Sequence, residues 1–360
     1  MFRKKVWVFL VIWLMSVALL PAINLYKNPQ QRSLSTLYNT DFFLPYVGMI
    51  AYKAGISTAS NHTVLGKEGW FFLGDAYETA FSKKRHLSDE DATAIALAVQ
   101  NAEVWQAWFQ ARGVQSYTIM LAPDKDSVYP EYLPDWAQAS GTTPLQYFEQ
   151  LNQAGIYQIL LAPLLAAKTQ FTEPLYYKTD SHWNYLGAWL GIKALAQHLK
   201  SRHPELQFEL EHFVDSLYAY GHKEGDLANF QHIAHLLGDY FVNFKSLLDQ
   251  PPVAERMNYA TGELQSKGPI TFADSQREPT LFTNPDALNP AKVLWISDSF
   301  GSNLVPFMLQ HFSEVMYIHV LGAEPTYIAE LTERFQPDYV ITTVVEREAR
   351  IRFYAQSPPD

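Results

Sequence analysis

The sequence predicts an α/β protein built on a mainly parallel sheet. Short apolar runs alternate with helical patterns, most clearly over residues 292–345. These runs are continuous rather than alternating, as expected for strands covered by helices on both faces. The chain has 360 residues, 48% of them hydrophobic and 14% aromatic. This composition can build a large core and excludes wholesale disorder.

The composition also excludes several functional classes. The chain has no cysteine, which rules out disulfide scaffolds, thiolate zinc sites and cysteine nucleophiles. It has 27 basic and 37 acidic residues, for a net charge of −10, which argues against a nucleic-acid partner. It contains neither a P-loop nor a dinucleotide-binding glycine motif, and we expect no metal site and no cofactor.

The N-terminus carries the pattern of a membrane anchor. A basic head at residues 3–5 precedes an apolar run at 6–23 that is interrupted only by Ser16 and Pro21. As a helix this run would span roughly 27 Å, close to the hydrocarbon thickness of a bilayer. We predict a signal anchor, or transmembrane helix, over residues 1–23, with its basic head in the cytoplasm. A cleaved signal peptide and a buried soluble helix are the alternatives.

The rest of the chain is predicted to be a tether followed by one domain. Residues 24–60 are mixed and polar and predict a tether with a lead-in segment, and residues 61–360 predict the domain itself. A capping pattern, S-D-E-D, starts a helix at Ser88 that ends near Gly113. Residues 201–290 are irregular and predict no definite element. Residues 64–73 predict a turn at 67–69 followed by a buried strand. The other predicted strands are 114–121, 156–161, 292–296, 315–320 and 339–345. The predicted helices are 88–113, 184–200, 304–312 and 324–335.

A candidate nucleophile follows the strand at 292–296. This strand runs directly into the sequence S-D-S-F-G-S at 297–302, and a helix begins soon after. In an α/β sheet, reactive groups lie beyond the carboxyl ends of the strands. Ser299 would therefore project into a cleft, with helix N-terminal N–H groups facing a developing oxyanion. The alternative is a Ser/Asp turn that only caps the next helix.

A candidate base lies in the sequence T-D-S-H-W-N at 179–184. A serine nucleophile needs a base, and the base needs a group that orients it. Asp180 could fix the tautomer of His182, which would take the serine proton. Asn184 would cap the helix that follows. For an isolated Asp-x-His pair, the alternative is a hydrogen-bonded surface pair without catalytic function.

Together these segments resemble the alginate O-acetyltransferase AlgJ/AlgX family, which is SGNH-hydrolase-like. The residues at 179–188 resemble its T-D-S/T-H-W-N-x-x-G-A motif, and those at 297–300 resemble its G-D-S-F nucleophile segment. The resemblance covers roughly residues 60–350 in the family's order. Further matching segments are G-K-E-G-W-F-F at 66–72, P-D-K-D-S-V-Y-P at 123–130 followed by L-P at 133–134, G-D-L at 225–227, and the segment at 337–347.

The resemblance implies an SGNH-hydrolase-like three-layer sandwich with Ser299 as nucleophile, His182 as base and Asp180 as orienting carboxylate. The sequence departs from the family at Ser297, where a glycine is usual. A serine can stand there only if its φ angle is ordinary. The default oxyanion donor is the backbone N–H of Ser299, and the sequence assigns no second donor.

The resemblance further implies an O-acetyltransferase that passes an acetyl group through a serine acyl-enzyme to an exported or cell-envelope polysaccharide. It also implies an MBOAT-type membrane acyltransferase as acetyl donor. We expect a single-pass protein of the inner membrane with its catalytic domain in the periplasm. Few residues follow Arg347, so we expect an AlgJ-like layout without an added carbohydrate-binding module. A polysaccharide acetylesterase on the same triad, or a non-catalytic scaffold or polysaccharide-binding subunit of an export complex, are the alternatives.

Three further residues are candidates for a substrate groove. Lys125 and Tyr129 lie in the segment at 123–130, and Arg347 lies near the C-terminus. Their side chains could contact the acceptor glycan. The alternatives are solvated charges for Lys125 and Arg347 and a half-buried ring for Tyr129.

Overall fold

The structure is a computed structural model that describes residues 2–27, 29–30, 33–274 and 276–359. The strands are β1 (Thr63–Leu65), β2 (Phe71–Leu73), β3 (Ser116–Ala122), β4 (Tyr157–Ile159), β5 (Leu217–Lys223), β6 (Asp239–Phe244), β7 (Val253–Asn258), β8 (Leu264–Pro269), β9 (Thr280–Thr283), β10 (Asn289–Ser297), β11 (Phe312–His319) and β12 (Tyr339–Val345). The helices are α1 (Phe2–Lys27), α2 (Leu34–Leu37), α3 (Leu44–Lys53), α4 (Ala80–Arg85), α5 (Asp89–Gln110), α6 (Lys125–Val128), α7 (Pro144–Leu151), α8 (Leu161–Lys168), α9 (Tyr185–Arg202), α10 (Asp226–Phe230), α11 (Lys245–Asp249), α12 (Val305–His311) and α13 (Pro325–Phe335).

An eight-stranded mixed sheet forms the centre of the domain, in the order β4-β3-β12-β10-β11-β9-β7-β8. The strands from β4 to β11 are parallel to one another, which confirms the predicted mainly parallel sheet. Strands β9, β7 and β8 extend it in antiparallel fashion. All three come from the region at 201–290 for which the sequence predicted no element.

Helices cover both faces of the sheet, and alternate residues of β10 show how. Val293 and Trp295 belong to the apolar cluster that includes α9 and α12. Leu294 and Ile296 belong to the opposite cluster, which includes α5 and α13. Because successive side chains of a strand point to opposite faces, a fully apolar strand requires cover on both sides. The result is the three-layer sandwich that the resemblance implied.

Two features at the starts of helices agree with the sequence prediction. Helix α5 begins after Ser88, whose side chain accepts a hydrogen bond from the backbone N–H of Asp91. Helix α9 begins after Asn184, whose side chain accepts from the N–H groups of Leu186 and Gly187. These caps fix the residue at which each helix begins. The cap of α9 lies two residues after His182.

The N-terminal helix α1 has the length and composition of a membrane span. Residues Val6–Lys27 have a mean hydropathy of 2.5, and no part of their most apolar stretch is buried within the protein. Pro21 lies inside the helix. An apolar helix that packs against no core is compatible with single-pass anchoring.

Candidate active site

The candidate nucleophile lies at the carboxyl end of the central strand β10. Ser299 opens a short 3₁₀ turn, Ser299–Gly301, directly after Ser297 ends the strand. Ser297 therefore has the extended backbone of a strand residue, which any side chain can adopt. A Cβ atom on Gly301 would collide with Ser297 Oγ. The serine at 297 is thus accommodated because Gly301 leaves room for its hydroxyl group.

Asp298 fixes the backbone of this turn. Its side chain accepts hydrogen bonds from the N–H of Phe300, at 2.9 Å, and from the N–H of Val345 at the end of β12, at 2.6 Å. Burial raises the pKa of Asp298 to about 7, and the charge of Glu348 acts in the same direction. The aspartate therefore ties the candidate nucleophile to the neighbouring strand.

Ser299, His182 and Asp180 form a continuous chain of hydrogen bonds. His182 Nε2 lies 2.8 Å from Ser299 Oγ, and His182 Nδ1 lies 2.8 Å from Asp180 Oδ1. The same carboxylate oxygen accepts the backbone N–H of His182 at 2.9 Å. Because a carboxylate can only accept, Nδ1 carries a proton and Nε2 is free to accept the serine hydroxyl. The geometry can support proton transfer from serine to imidazole.

The electrostatics of the pair favour a charged imidazole. Burial opposes ionisation of Asp180, but its hydrogen bond and charge interaction with His182, and the ammonium of Lys223, hold its pKa well below the ordinary value. Burial lowers the pKa of His182, but the hydrogen bond and charge of Asp180 outweigh it, so the net shift is upward. The site can therefore stabilise an imidazolium at His182.

Residues from the unpredicted region hold the Asp-His segment in place. Lys223 Nζ lies 2.5 Å from Asp180 Oδ2, the carboxylate oxygen that does not face His182. Asp226 accepts hydrogen bonds from Ser181 N at 2.7 Å and from Ser181 Oγ at 2.5 Å. The G-D-L triplet at 225–227 matches the family without a predicted role, and no sequence motif indicates Lys223.

Two further contacts pin the residues before Asp180. Asp239, at the start of β6, accepts hydrogen bonds from Lys178 N, Thr179 N and Thr179 Oγ1, at 2.9, 2.8 and 2.6 Å. A Cβ atom on Gly225 would collide with the Thr179 carbonyl group. Gly225 is therefore required for the close approach of the two segments.

The structure places Lys125 inside the protein, which corrects the expectation that it lines a substrate groove. Its side chain is buried, and its Nζ donates to the carbonyl oxygens of Tyr177, Lys178 and Asp180 at 2.9, 2.9 and 2.7 Å. Burial lowers its pKa to about 8, although nearby aspartates oppose the shift. Lys125 supports the backbone of the Asp-His segment from beneath.

Tyr129 is also buried, and does not line the groove either. Its hydroxyl accepts the backbone N–H of Leu175 at 2.8 Å. Its ring packs against Trp70, with centroids 4.3 Å apart. The sequence pattern could not reveal this, because both contacts join segments far apart in the chain.

Arg347, the third expected groove residue, belongs instead to a buried charge cluster. Arg347 forms an ion pair with Asp124, and its guanidinium lies 5.7 Å from the ring centroid of Phe300. Lys84 pairs with Asp124, at 3.0 Å, and with Asp126. Glu346 accepts hydrogen bonds from Ser127 Oγ and the N–H of Asp124, and burial raises its pKa to about 7. The cluster comprises Lys84, Asp124, Asp126, Glu346 and Arg347.

A pocket of about 420 Å³ opens at Ser299 and His182, a volume within the range of small-molecule sites. The side chain of His182 is 27% exposed, so the pocket is open to solvent. Its walls are rich in aromatic rings. The lining residues are Tyr177, Asp180, His182, Tyr185, Tyr220, Lys223, Phe241, Asn243, Leu248, Thr271, Phe272, Asp274, Ser299, Ser302 and Asn303.

Among the described residues, one cluster of side chains that could bind a metal ion lies at this pocket. One ligand atom each from Asp180, His182 and Asp226 lie within 4.8 Å of one another. Their geometry is explained by hydrogen bonds to one another and to Ser181, and Lys223 brings its own positive charge to Asp180. We interpret the group as a hydrogen-bonded network rather than a metal centre.

The fold is that of an SGNH hydrolase-like domain, and its site has the geometry that serine acyl transfer requires. The family profile described as SGNH hydrolase-like domain, acetyltransferase AlgX, matches residues 63–327. The chain belongs to this family, as the sequence motifs predicted.

Two curated relatives carry the name probable alginate O-acetylase AlgJ. The protein from Pseudomonas putida is 24% identical over 276 residues, which cover 74% of this chain and 67% of that protein. The protein from Pseudomonas fluorescens is 26% identical over 267 residues, which cover 72% of this chain and 63% of that protein. The match thus spans about two thirds of the length of these relatives.

A solved structure supports the fold. Bacillus cereus PatB1, determined with a sulfonyl adduct, has a TM-score of 0.59 and 14% sequence identity. The superposition covers 82% of this chain and 99% of that one. At this identity the likeness concerns the fold alone.

Proposed function

We propose that this chain is a polysaccharide O-acetyltransferase that works through an acetyl-enzyme on Ser299. The observation that carries the proposal is the hydrogen-bonded chain from Asp180 through His182 to Ser299, in an open pocket of an acetyltransferase-family domain. The acceptor is an exported or cell-envelope polysaccharide, the class to which the alginate in the relatives' names belongs.

In the first half-reaction, Ser299 Oγ attacks the acetyl carbonyl carbon while His182 Nε2 takes the hydroxyl proton. Asp180 accepts from His182 Nδ1 throughout and stabilises the imidazolium. The tetrahedral intermediate collapses, the bond to the donor's leaving group breaks, and His182 returns the proton to that leaving group. The products are the acetyl-serine ester and the deacetylated donor.

In the second half-reaction, a sugar hydroxyl replaces the leaving group. His182 takes its proton, the sugar oxygen attacks the acetyl-serine carbonyl, and the bond to Ser299 Oγ breaks. His182 then returns the proton to Ser299. Water in place of the sugar would give hydrolysis, so acceptor binding decides the outcome.

The backbone N–H of Ser299 is the proposed oxyanion donor. Ser299 begins a tight turn in which Asp298 accepts the N–H of the next residue, Phe300, so the backbone around the donor is fixed before the reaction starts. A preorganised donor is worth roughly 10²–10³-fold in rate. Asn303 also lines the pocket, and its Nδ2 donates to the carbonyl oxygen of Trp183 at 3.0 Å.

An MBOAT-type membrane acyltransferase is the proposed acetyl donor, with the catalytic domain in the periplasm and α1 in the inner membrane. The apolar helix α1 supports this arrangement, because it would keep the pocket near the membrane surface where such a donor lies. The family resemblance supplies the class of partner.

Intact-mass spectrometry of the full chain in detergent, mixed with para-nitrophenyl acetate, tests the nucleophile. We expect one added acetyl group that maps to Ser299 and is absent from Ser299→Ala. The matched variant Ser302→Ala removes another pocket hydroxyl three residues away and still gains the acetyl group.

The same samples separate the alternatives. A stable acetyl-enzyme that is discharged by an added glycan supports transfer. Rapid discharge by water, unaffected by glycan, supports an acetylesterase. If Ser299→Ala still supports polymer acetylation in cells, the chain is a non-catalytic scaffold and the proposal is wrong.

A further inference from the structure

Helix α3 carries a stripe of exposed apolar side chains. Tyr46 is 66% exposed, Val47 54% and Ile50 71%, and Phe43, at the N-cap of the helix, is 39% exposed. Their spacing of three or four residues places them on one side of the helix. Residues 42–52 contain no charged side chain. These four residues, the α3 stripe, form the kind of contiguous apolar surface that marks a contact with a protein or a membrane.

The other side of α3 is already packed against the domain. Met49 and Tyr52 contact the apolar cluster around Leu227. A Cβ atom on Gly48 would collide with the carbonyl oxygen of Gln231, so the helix lies directly against the backbone at this point. A helix that is apolar on all sides needs apolar cover on all sides. The domain covers one side of α3 and leaves the α3 stripe without cover.

Contacts with α1 place the start of α3 beside the end of the apolar helix. Asn24, near the end of α1, is buried, and its Nδ2 donates to the carbonyl oxygens of Leu37 and Asn39 at 2.9 and 2.8 Å. The Nζ of Lys27, the last residue of α1, lies 4.7 Å from the ring centroid of Phe42. The chain therefore folds back onto the end of α1 before α3 begins.

We propose that the α3 stripe lies in the lipid interface of the membrane that α1 spans. Aromatic and aliphatic side chains suit the boundary between headgroups and acyl chains, where helices lie along the surface. The occupant is the lipid itself, because α3 starts where α1 ends and one bilayer is continuous with both helices. This inference goes beyond acyl transfer and rests on the proposed position of α1.

Such a contact would orient the catalytic segment relative to the membrane. Helix α3 packs on a cluster that includes residues of α10. Asp226, the first residue of α10, accepts hydrogen bonds from Ser181, the neighbour of His182. A single span tethers a domain without setting its rotation, whereas a second contact sets it. The α3 stripe would therefore determine which way the pocket at His182 faces.

The test measures the surroundings of the stripe in the full chain. Because the chain has no cysteine, one introduced cysteine labels one chosen site. Val47→Cys, coupled to the environment-sensitive fluorophore NBD, is reconstituted in vesicles of phosphatidylethanolamine and phosphatidylglycerol. We expect a blue-shifted emission that nitroxide-labelled lipids quench, most strongly when the nitroxide lies near the headgroup end of the acyl chain. Leu97→Cys, which replaces an exposed leucine of α5, is the matched control and should be quenched by aqueous iodide instead.

Ile50→Glu tests the stripe itself, with Ile50→Leu as its matched control. Glutamate places a charge in the proposed contact, three residues from the label at Val47. That label should then lose its lipid quenching and emit like the label at Leu97, because a charge in an apolar contact is costly. Ile50→Leu should leave the emission unchanged. Equal lipid quenching in the two variants would overturn the proposal.

The remaining outcomes separate the lipid from other occupants. A blue-shifted label at Val47 that lipid nitroxides do not quench would show a contact with a second copy of the chain and overturn the proposal. Iodide quenching as strong at Val47 as at Leu97 would also overturn it. A chain that does not float with the vesicles would contradict both the span and the stripe. Acetylation of Ser299 in the same vesicles measures the proposed function separately, so its failure would leave the label result standing.

Discussion

His182 is the proposed base, so its ionisation should set how the reaction rate depends on pH. As a base it must be neutral, and the network around it raises its pKa above the ordinary 6.5. We therefore expect the rate of Ser299 acetylation to fall as the pH drops, with a midpoint above 6.5. Rapid-quench mass spectrometry from about pH 5 to about pH 9 measures it. A rate that does not change over this range would contradict the assignment of His182 as base.

The Asp180→Asn variant checks the partner of His182. The amide removes the charge that raises the pKa of His182, so the acid limb should move to lower pH. The amide can also donate, which allows the wrong imidazole tautomer, and we expect a loss of roughly 10³–10⁴-fold in rate. A loss of less than about tenfold, in the same assay, would contradict the role of Asp180.

We propose Lys223 as a positioning residue that acts through Asp180. Lys223→Met should reduce the acetylation rate by roughly tenfold, because the second oxygen of Asp180 loses its partner. It should also move the acid limb to higher pH, since the charge of Asp180 is no longer shared with an ammonium. Lys223→Arg should restore much of both, and Lys200→Met, an exposed lysine on α9, serves as control. An unmoved pH profile in Lys223→Met would contradict this role.

At the scale of the elements, Asp298 joins the ends of β10 and β12. Asp298→Ala leaves the buried N–H groups of Phe300 and Val345 without an acceptor, which we expect to cost about 2–4 kcal/mol in the free energy of unfolding. Asp298→Asn keeps one acceptor oxygen and should lose less. Urea unfolding of the three proteins gives the values, and equal losses would contradict the argument.

Much of the parallel part of the sheet could be predicted from the sequence, because its strands are short apolar runs. The strand predicted at 339–345 is β12 without a change of bounds, and the helix at 324–335 is α13 with one residue fewer. The antiparallel strands β7–β9 could not be predicted. Strand β8 is mostly exposed, so it lacks the apolar run that marks a buried strand.

The candidate site also contains residues that could be predicted from the sequence and residues that could not. Ser299 lies just after β10, and Asp180 and His182 lie in the segment before α9. Both are local motifs in which the residue types themselves indicate chemistry. Lys223 contacts Asp180 across 43 residues of sequence, and no local pattern encodes such a contact. Lys125 was expected to line the groove, but three backbone carbonyl groups satisfy its ammonium inside the protein.

For the whole molecule, we propose that α1 keeps the chain at a membrane. Leu14→Arg places a charge in the middle of the apolar helix, at a cost of about 3 kcal/mol for insertion. We expect more of this variant than of Leu14→Phe in the soluble fraction after alkaline carbonate extraction. Equal membrane retention of both variants would contradict anchoring by α1.

The buried charge cluster has a consequence for how such proteins diverge. It joins α4, through Lys84, to the segments after β3 and β12 that carry Asp124, Asp126, Glu346 and Arg347. Removing one partner strands a buried charge, which typically costs about 3–5 kcal/mol, whereas replacing a set with apolar groups can be neutral. A single substitution at any of these five positions should therefore lower the free energy of unfolding. In natural variation we expect these five residues to change together, although they lie in three distant stretches of the sequence.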